Sequence, residues 1–234
     1  MPSLLAMHIP DGFLSNPVAL LMWLPAIVAG AIGLSRSSQN LTEQQVPLLG
    51  VTAAFVFAVQ MLNFPVAGGT SGHLLGAGLA AILLGPWTAC VVMAVVLSMQ
   101  AFVFADGGIT ALGANVVNMG VIGALLVGYV MLVAFRVVPR TVPWFLAVTA
   151  GASWLAVMAG ATATSIELAW SGTVPFGTVL AAMLGVHALI GIGEAVITVA
   201  AVSAVIATRP DLIGIVDMRE LGGGEAATPT LGEA

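Results

Sequence analysis

The sequence contains no lysine, one cysteine and one tyrosine, and charged residues fill only 6% of its 234 positions. Soluble domains carry about 25% charge, so a chain this poor in charge cannot face water over its whole surface. Its five cations are the scattered arginines 36, 136, 140, 209 and 219. Nucleic acid is excluded as a partner, because phosphate backbones are bound by clustered cations. Without lysine the chain cannot supply a nucleotide-binding P-loop, which ends in Gly-Lys-[Ser/Thr]. Cys90 lies alone in an apolar run and closes no internal disulfide. The first sixteen residues lack a basic leader and a small-residue cleavage site, so no signal peptide is expected.

What is present is apolar: 60% of the residues are hydrophobic, and the mean hydropathy is +1.13. A helix crossing the hydrocarbon core needs roughly 20 mostly apolar residues. About seven such runs occur, from near Pro17 to Leu34, Pro47 to Asn63, Gly72 to Leu84, Trp87 to Phe104, Ala111 to Phe135, Pro143 to Ile166 and Phe176 to Ala207. The expected fold is therefore an all-α integral membrane protein. A transmembrane bundle over 17–207 follows an outer N-terminal segment, 1–16, and precedes a cytoplasmic tail, 208–234, whose Gly-, Glu- and Thr-rich composition predicts disorder. Gly85-Pro86 should break the third run from the fourth in a tight hairpin. The short third run and its neighbour Gly68-Gly69-Thr70-Ser71-Gly72 suggest a re-entrant loop.

Seven spans also sort the charges. With the N-terminus outside, every arginine falls on the cytoplasmic side and the outer segments hold Asp11, Asp106 and Glu167, as the positive-inside rule requires. One span more or fewer would divide the arginines between the two sides. Trp23, Trp87, Trp144 and Trp170 fall near the expected interfaces. Small residues four apart, as in Ala26 and Gly30 or Gly120, Ala124 and Gly128, permit close helix packing.

Polar residues inside such a bundle are costly unless paired or used. His8 and His73 belong to outer segments, while His187 lies inside the seventh run. A single outer histidine is ordinarily just a solvated side chain, and two make an incomplete metal site. Met7 before His8 changes that reading. Residues 1–6 add nothing to the first span, so Met7 is a candidate first residue, whereas with Met1 retained the Met7 nitrogen is an internal amide and the geometry that follows loses its best ligand. With Met7 first, its free amine, the His8 amide and a His8 ring nitrogen would chelate one ion, with His73 as fourth nitrogen. Four nitrogens in a plane suit Ni(II) or Cu(II), and Co(II) can be accommodated.

The stretches Met7-His8-Ile9-Pro10-Asp11-Gly12, Gly68-Gly69-Thr70-Ser71-Gly72-His73-Leu74 and Asp106-Gly107-Gly108-Ile109-Thr110-Ala111-Leu112-Gly113-Ala114-Asn115 resemble the CbiM/NikM family. These are the substrate-binding (S) components of energy-coupling factor (ECF) ABC transporters for cobalt or nickel. The likeness continues through Asn118-Met119-Gly120 and His187 to Ala195, so it covers nearly the whole chain to about Ala207. It implies metal ligation by Met7, His8 and His73, with Co(II) or Ni(II) as transported substrate and no prosthetic group. It implies no enzyme, but a capture subunit in the cell inner membrane. Its implied partners are an ECF transmembrane (T) subunit, cytosolic ATPase subunits, a small accessory membrane subunit and lipid. Cobalt is the favoured cargo for this unfused form, as a supply for cobalamin biosynthesis, with a nickel-specific counterpart as the alternative. Residues 1–6 depart from the family pattern.

Other polar residues carry weaker expectations. Asn115 and Asn118, three apart on one helical face, could meet Gln60, Asn63 and Gln100, as interhelical bonds or as support around the metal together with Asp11 and Ser71. Asp11 either attracts cations or caps the turn after Pro10. His187 and Glu194, seven apart, are expected to form a structural pair inside the seventh span. The numerous methionines read as helix packing. Two rival functions are an intramembrane serine protease using Ser71 and His187, and a proton-coupled carrier using His187 and Glu194.

Overall fold

The computed structural model describes residues 8–40, 45–62, 64–66 and 70–221. Seven helices run among them: α1 (Asn16–Asn40), α2 (Val46–Gln60), α3 (Ala77–Leu84), α4 (Pro86–Phe104), α5 (Leu112–Ala134), α6 (Val142–Trp170) and α7 (Phe176–Thr208). Five of these are long and apolar enough to cross a membrane, while α2 is a shorter apolar helix. The chain is a multi-pass membrane protein of the expected class.

The third run departs from expectation. Its helix has only 8 residues, a rise of about 12 Å against roughly 30 Å of hydrocarbon, so it does not span. From Ala77 to Leu83 every residue is buried within the other helices. Of the glycine-rich stretch expected to form a re-entrant loop, Gly68 and Gly69 lie outside the described residues. Strands β1 (Phe64–Val66) and β2 (Thr70–Gly72) pair antiparallel, Phe64 opposite Gly72, and so satisfy each other's backbone. The hairpin at Gly85-Pro86 is present. Gly85 adopts φ 81° between α3 and α4, and Pro86 opens α4, where its missing N–H costs nothing.

The fifth run forms one continuous helix, but Val116–Ile122 within it winds as a π-helix. Three residues turn through less angle there than in an α-helix, so Asn115 and Asn118 do not share a face as expected. Among the five long helices α4 and α5 are the most enclosed, and small residues seat them: a Cβ at Gly120 would lie 3.0 Å from Met93, and one at Gly128 would lie 2.5 Å from Pro86. Gly30, by contrast, has open space where a Cβ would stand, so of the Ala26–Gly30 pair only Ala26 is packed into the core. Long α6 and α7 lie against each other, with Trp154 donating its indole N–H to the Ala188 carbonyl (3.1 Å) over Gly191.

The two ends of the bundle differ in charge. At one end the Arg36 guanidinium covers the Trp87 ring at 4.9 Å, and the exposed Arg209 pairs with Asp211. Past α7 the chain does not dissolve into a tail at 208. Short 3-10 turns at Pro210–Leu212 and Met218–Leu221 follow, Ile213 and Leu221 are buried, and the Gly214 and Ile215 N–H groups donate to the Ile82 carbonyl (3.0 and 3.1 Å). The Gly222–Gly224 run and the rest of the expected disordered tail lie outside the described residues. At the opposite end stand His8, Asp11, His73, Asp106 and Glu167.

Candidate metal centre

The N-terminal segment folds back over its end of the bundle as a strap. Asn115, at the start of α5, holds Ile9 from both sides, accepting its N–H on Oδ1 (2.8 Å) and donating Nδ2–H to its carbonyl (3.2 Å). The Gly108 N–H donates to the same carbonyl at 2.9 Å. Two residues on, Asp11 Oδ1 accepts the Thr110 N–H (2.7 Å) and hydroxyl (2.6 Å). The Thr110 hydroxyl holds the Asp11 carboxyl below its ordinary pKa, so it stays charged. Asp11 therefore ties the strap to the α4–α5 loop rather than capping the turn after Pro10. Farther along, the Thr173 hydroxyl donates to the Phe13 carbonyl and joins the strap to the α6–α7 loop.

These contacts place His8 beside His73. The ring centroids lie 4.6 Å apart with planes inclined by 56°, and both residues are buried. His73 turns Nδ1 to the Leu74 main-chain carbonyl (2.9 Å), while the His8 ring lies beside the Asp106 main chain. A carbonyl only accepts, so His73 Nδ1 carries the proton and its Nε2 is left with a lone pair. Neither Nε2 has a hydrogen-bond partner among the described residues. Burial pushes the His8 pKa down to about 4, so the ring is neutral at pH 7 and its lone pair is free for a cation. Two buried imidazoles have unpaired Nε2 atoms, and His73 is fixed by a carbonyl behind it, the way metal-ligating histidines are held.

A chelate closed with the His8 amide would use Nδ1, the nearer ring nitrogen, whereas Nε2 is the His8 nitrogen without a partner among the described residues. Met7 lies outside the described residues, as does the side chain of Ser71, whose backbone belongs to β2.

Several expected contacts are replaced by others. Asn118 does not reach Asn115's partners; its Nδ2 donates to Glu167 (2.7 Å) and Thr164 (3.2 Å) on α6. Glu167 is consequently buried, so the outer end is less acidic than its sequence suggests. The Gln100 side chain makes no hydrogen bond among the described residues, although its backbone carbonyl accepts the Asp106 N–H at 3.0 Å. Gln60 turns from the asparagines to donate to the Leu75 carbonyl (2.7 Å), and Asn63 lies outside the described residues. His187 and Glu194 do not pair. His187 directs Nδ1 to the Met183 carbonyl of its own helix (2.7 Å), while Glu194 accepts the Leu75 and Gly76 N–H groups. Sequence reasoning singled out Gln60 and Glu194 as buried polar residues, but nothing in the spacing pointed to a loop 15 and 119 positions away.

The family description "cobalt uptake substrate-specific transmembrane region", CbiM, matches residues 8–212. The chain belongs to the CbiM family. A cobalt transport protein CbiM from Thermosediminibacter oceani is 35% identical over 206 residues, which cover 83% of this chain and 82% of that relative. The fused nickel transport protein NikMN of Rhodobacter capsulatus is 41% identical over 130 residues, 56% of this chain and 38% of that longer protein. Among solved structures, the crystal structure of a truncated transition metal transporter superposes with a TM-score of 0.76 at 30% identity, covering 86% of this chain and 98% of that one. The resemblance read from the His8, His73 and Asp106–Asn115 stretches thus holds at the level of family and fold.

Proposed function

We propose that this CbiM-family chain captures Co(II) or Ni(II) as the substrate subunit of an ATP-driven ECF transporter. The observation that carries the reading is the His8–His73 pair, two neighbouring buried rings with unpaired Nε2 atoms in a multi-pass membrane protein. In this reading the Met7 amine, the His8 amide and ring, and His73 Nε2 surround the ion. Nitrogen donors of this kind favour late first-row divalent metals over Mg(II) or Ca(II). The strap brings His8 down onto His73, so capture and closure of the strap are one event.

ATP is consumed elsewhere, by cytosolic ATPase subunits acting through a T subunit, with a small accessory membrane subunit completing the assembly. The arginine-bearing end faces the cytoplasm of the inner membrane and the strap faces outward, consistent with positive-inside sorting. Cobalt destined for cobalamin is the preferred cargo, with nickel as the second reading because relatives named for each metal align with this chain.

Titration of the purified chain with Ni(II) and Co(II), followed by its ligand-field spectrum, tests the site. One ion per chain should bind, and His8→Ala or His73→Ala should abolish binding. Unchanged binding in both variants would sink the reading. Intact mass of the metal-loaded protein shows whether Met7 supplies the amine.

A further inference from the structure

The loop that carries His73 is gripped from two distant helices. On α7, Glu194 is 2% exposed, and its two carboxylate oxygens accept the N–H groups of Leu75 (2.7 Å) and Gly76 (2.8 Å). On α2, the fully buried Gln60 donates to the Leu75 carbonyl (2.7 Å). Both polar groups of the Leu75 main chain and the next N–H are thus held by side chains rather than by secondary structure. Two consecutive N–H groups converge on one carboxylate because Gly76 turns to φ 73°, a conformation that favours glycine. Val56 closes that turn from α2, 3.1 Å from where a Gly76 Cβ would stand.

We propose that Glu194, assisted by Gln60, is the positioning residue for His73 and ties α7 and α2 to metal capture. The connection is short. Glu194 fixes Leu75 and Gly76, the adjacent Leu74 carbonyl receives His73 Nδ1–H at 2.9 Å, and that bond holds the ring beside His8 with Nε2 unpaired. Glu194 does not touch the ion, and both of its oxygens are already engaged by backbone donors. A carboxylate at this depth among apolar helices is costly, and it is retained here by the two N–H groups it orders. Movement of α7 relative to α2 would pull on Leu75 from both sides and displace His73 Nε2, which offers a route by which helix motion in a partner complex loosens the cargo.

This inference rests on His73 being a ligand, and its test keeps the two ideas apart. The full chain in detergent is titrated with Ni(II) alone, as wild type, Glu194→Gln, Gln60→Leu and His73→Ala. In Glu194→Gln the amide NH2 faces a backbone N–H, so one bond of the clamp is lost. Supporting residues of this kind typically cost about 10- to 100-fold in metal affinity. Glu194→Gln should weaken Ni(II) binding within that range and shift the ligand-field band, while the helical content of the metal-free protein is unchanged. Gln60→Leu should shift the same band with a smaller loss. If wild type binds neither Ni(II) nor, in a parallel titration, Co(II), the proposed function itself fails. Wild-type binding together with unaltered affinity and band in both clamp variants overturns the positioning role alone. Should Glu194→Gln not fold, the band position in Gln60→Leu decides.

Discussion

His8 and His73 meet in one site, yet they are held in opposite ways. His8 rides on a strap whose fastenings, Asn115, Thr110 and Thr173, are neutral side chains, two of them on loops at the edge of the bundle. His73 sits on a loop clamped from beneath by a buried carboxylate and a buried amide. Two of the strap's three fastenings lie where water reaches, whereas the Asn115 bonds and both halves of the His73 clamp are buried. A hydrogen bond exchanged with water contributes about 0.5–1.5 kcal/mol, whereas a buried donor stripped of its partner costs about 1–3 kcal/mol. The strap is therefore expected to open more readily than the loop.

The largest expected contrast lies in amide exchange. Backbone amides of Ile9–Phe13 should exchange well before those of Leu75 and Gly76 in the metal-free protein, and Ni(II) should slow the strap far more than the loop. Equal protection of the two segments without metal would break the comparison. Next in size is Asn115→Leu, which strands the Ile9 N–H and should weaken Ni(II) binding about 10-fold or more while leaving thermal unfolding of the bundle nearly unchanged. Gly76→Ala acts on the His73 loop instead. Its left-handed φ of 73° costs an alanine about 1–2 kcal/mol, and the new Cβ presses on Val56 at 3.1 Å. This variant should lower the melting temperature of the metal-free protein, which Asn115→Leu should not. Asp11→Asn is the smallest, because the side chain is exposed and keeps one acceptor for Thr110; slightly faster exchange at the strap, with metal affinity within about threefold, is expected.

The legible and illegible parts of the sequence divide along a physical line. Bundle class, helix positions and the opposition of arginines to histidines could be read because hydropathy, proline and charge act locally or through the membrane as a common reference. His8, His73 and the Asp106–Asn115 stretch carried the family likeness. The partner of each buried polar side chain was not readable. Glu194 was assigned to His187, seven positions away on its own helix, because a periodic pattern reports only shared faces; its partners are main-chain groups of residues 75 and 76, whose identity leaves no mark in composition. Asn115 and Asn118 were placed on one face by α-helical spacing, and the π-helical turn at Val116–Ile122 sent one to the strap and the other to Glu167. The third run read as a span because its apolar character continues into Leu74 and Leu75, although the helix begins only after the turn at Gly76.

By itself the sequence determined the solvent, the number of helices to within the one buried piece, and which residues stand at which end, since each follows from transfer of side chains into hydrocarbon. Only the tertiary structure decided that the tilted rings of His8 and His73 lie 4.6 Å apart, that neither Nε2 has a partner among the described residues, and that the His73 loop hangs from Glu194 and Gln60. Hydrogen bonds to the main chain depend on where the backbone passes, and that is fixed by packing of the whole bundle rather than by any local run of residues.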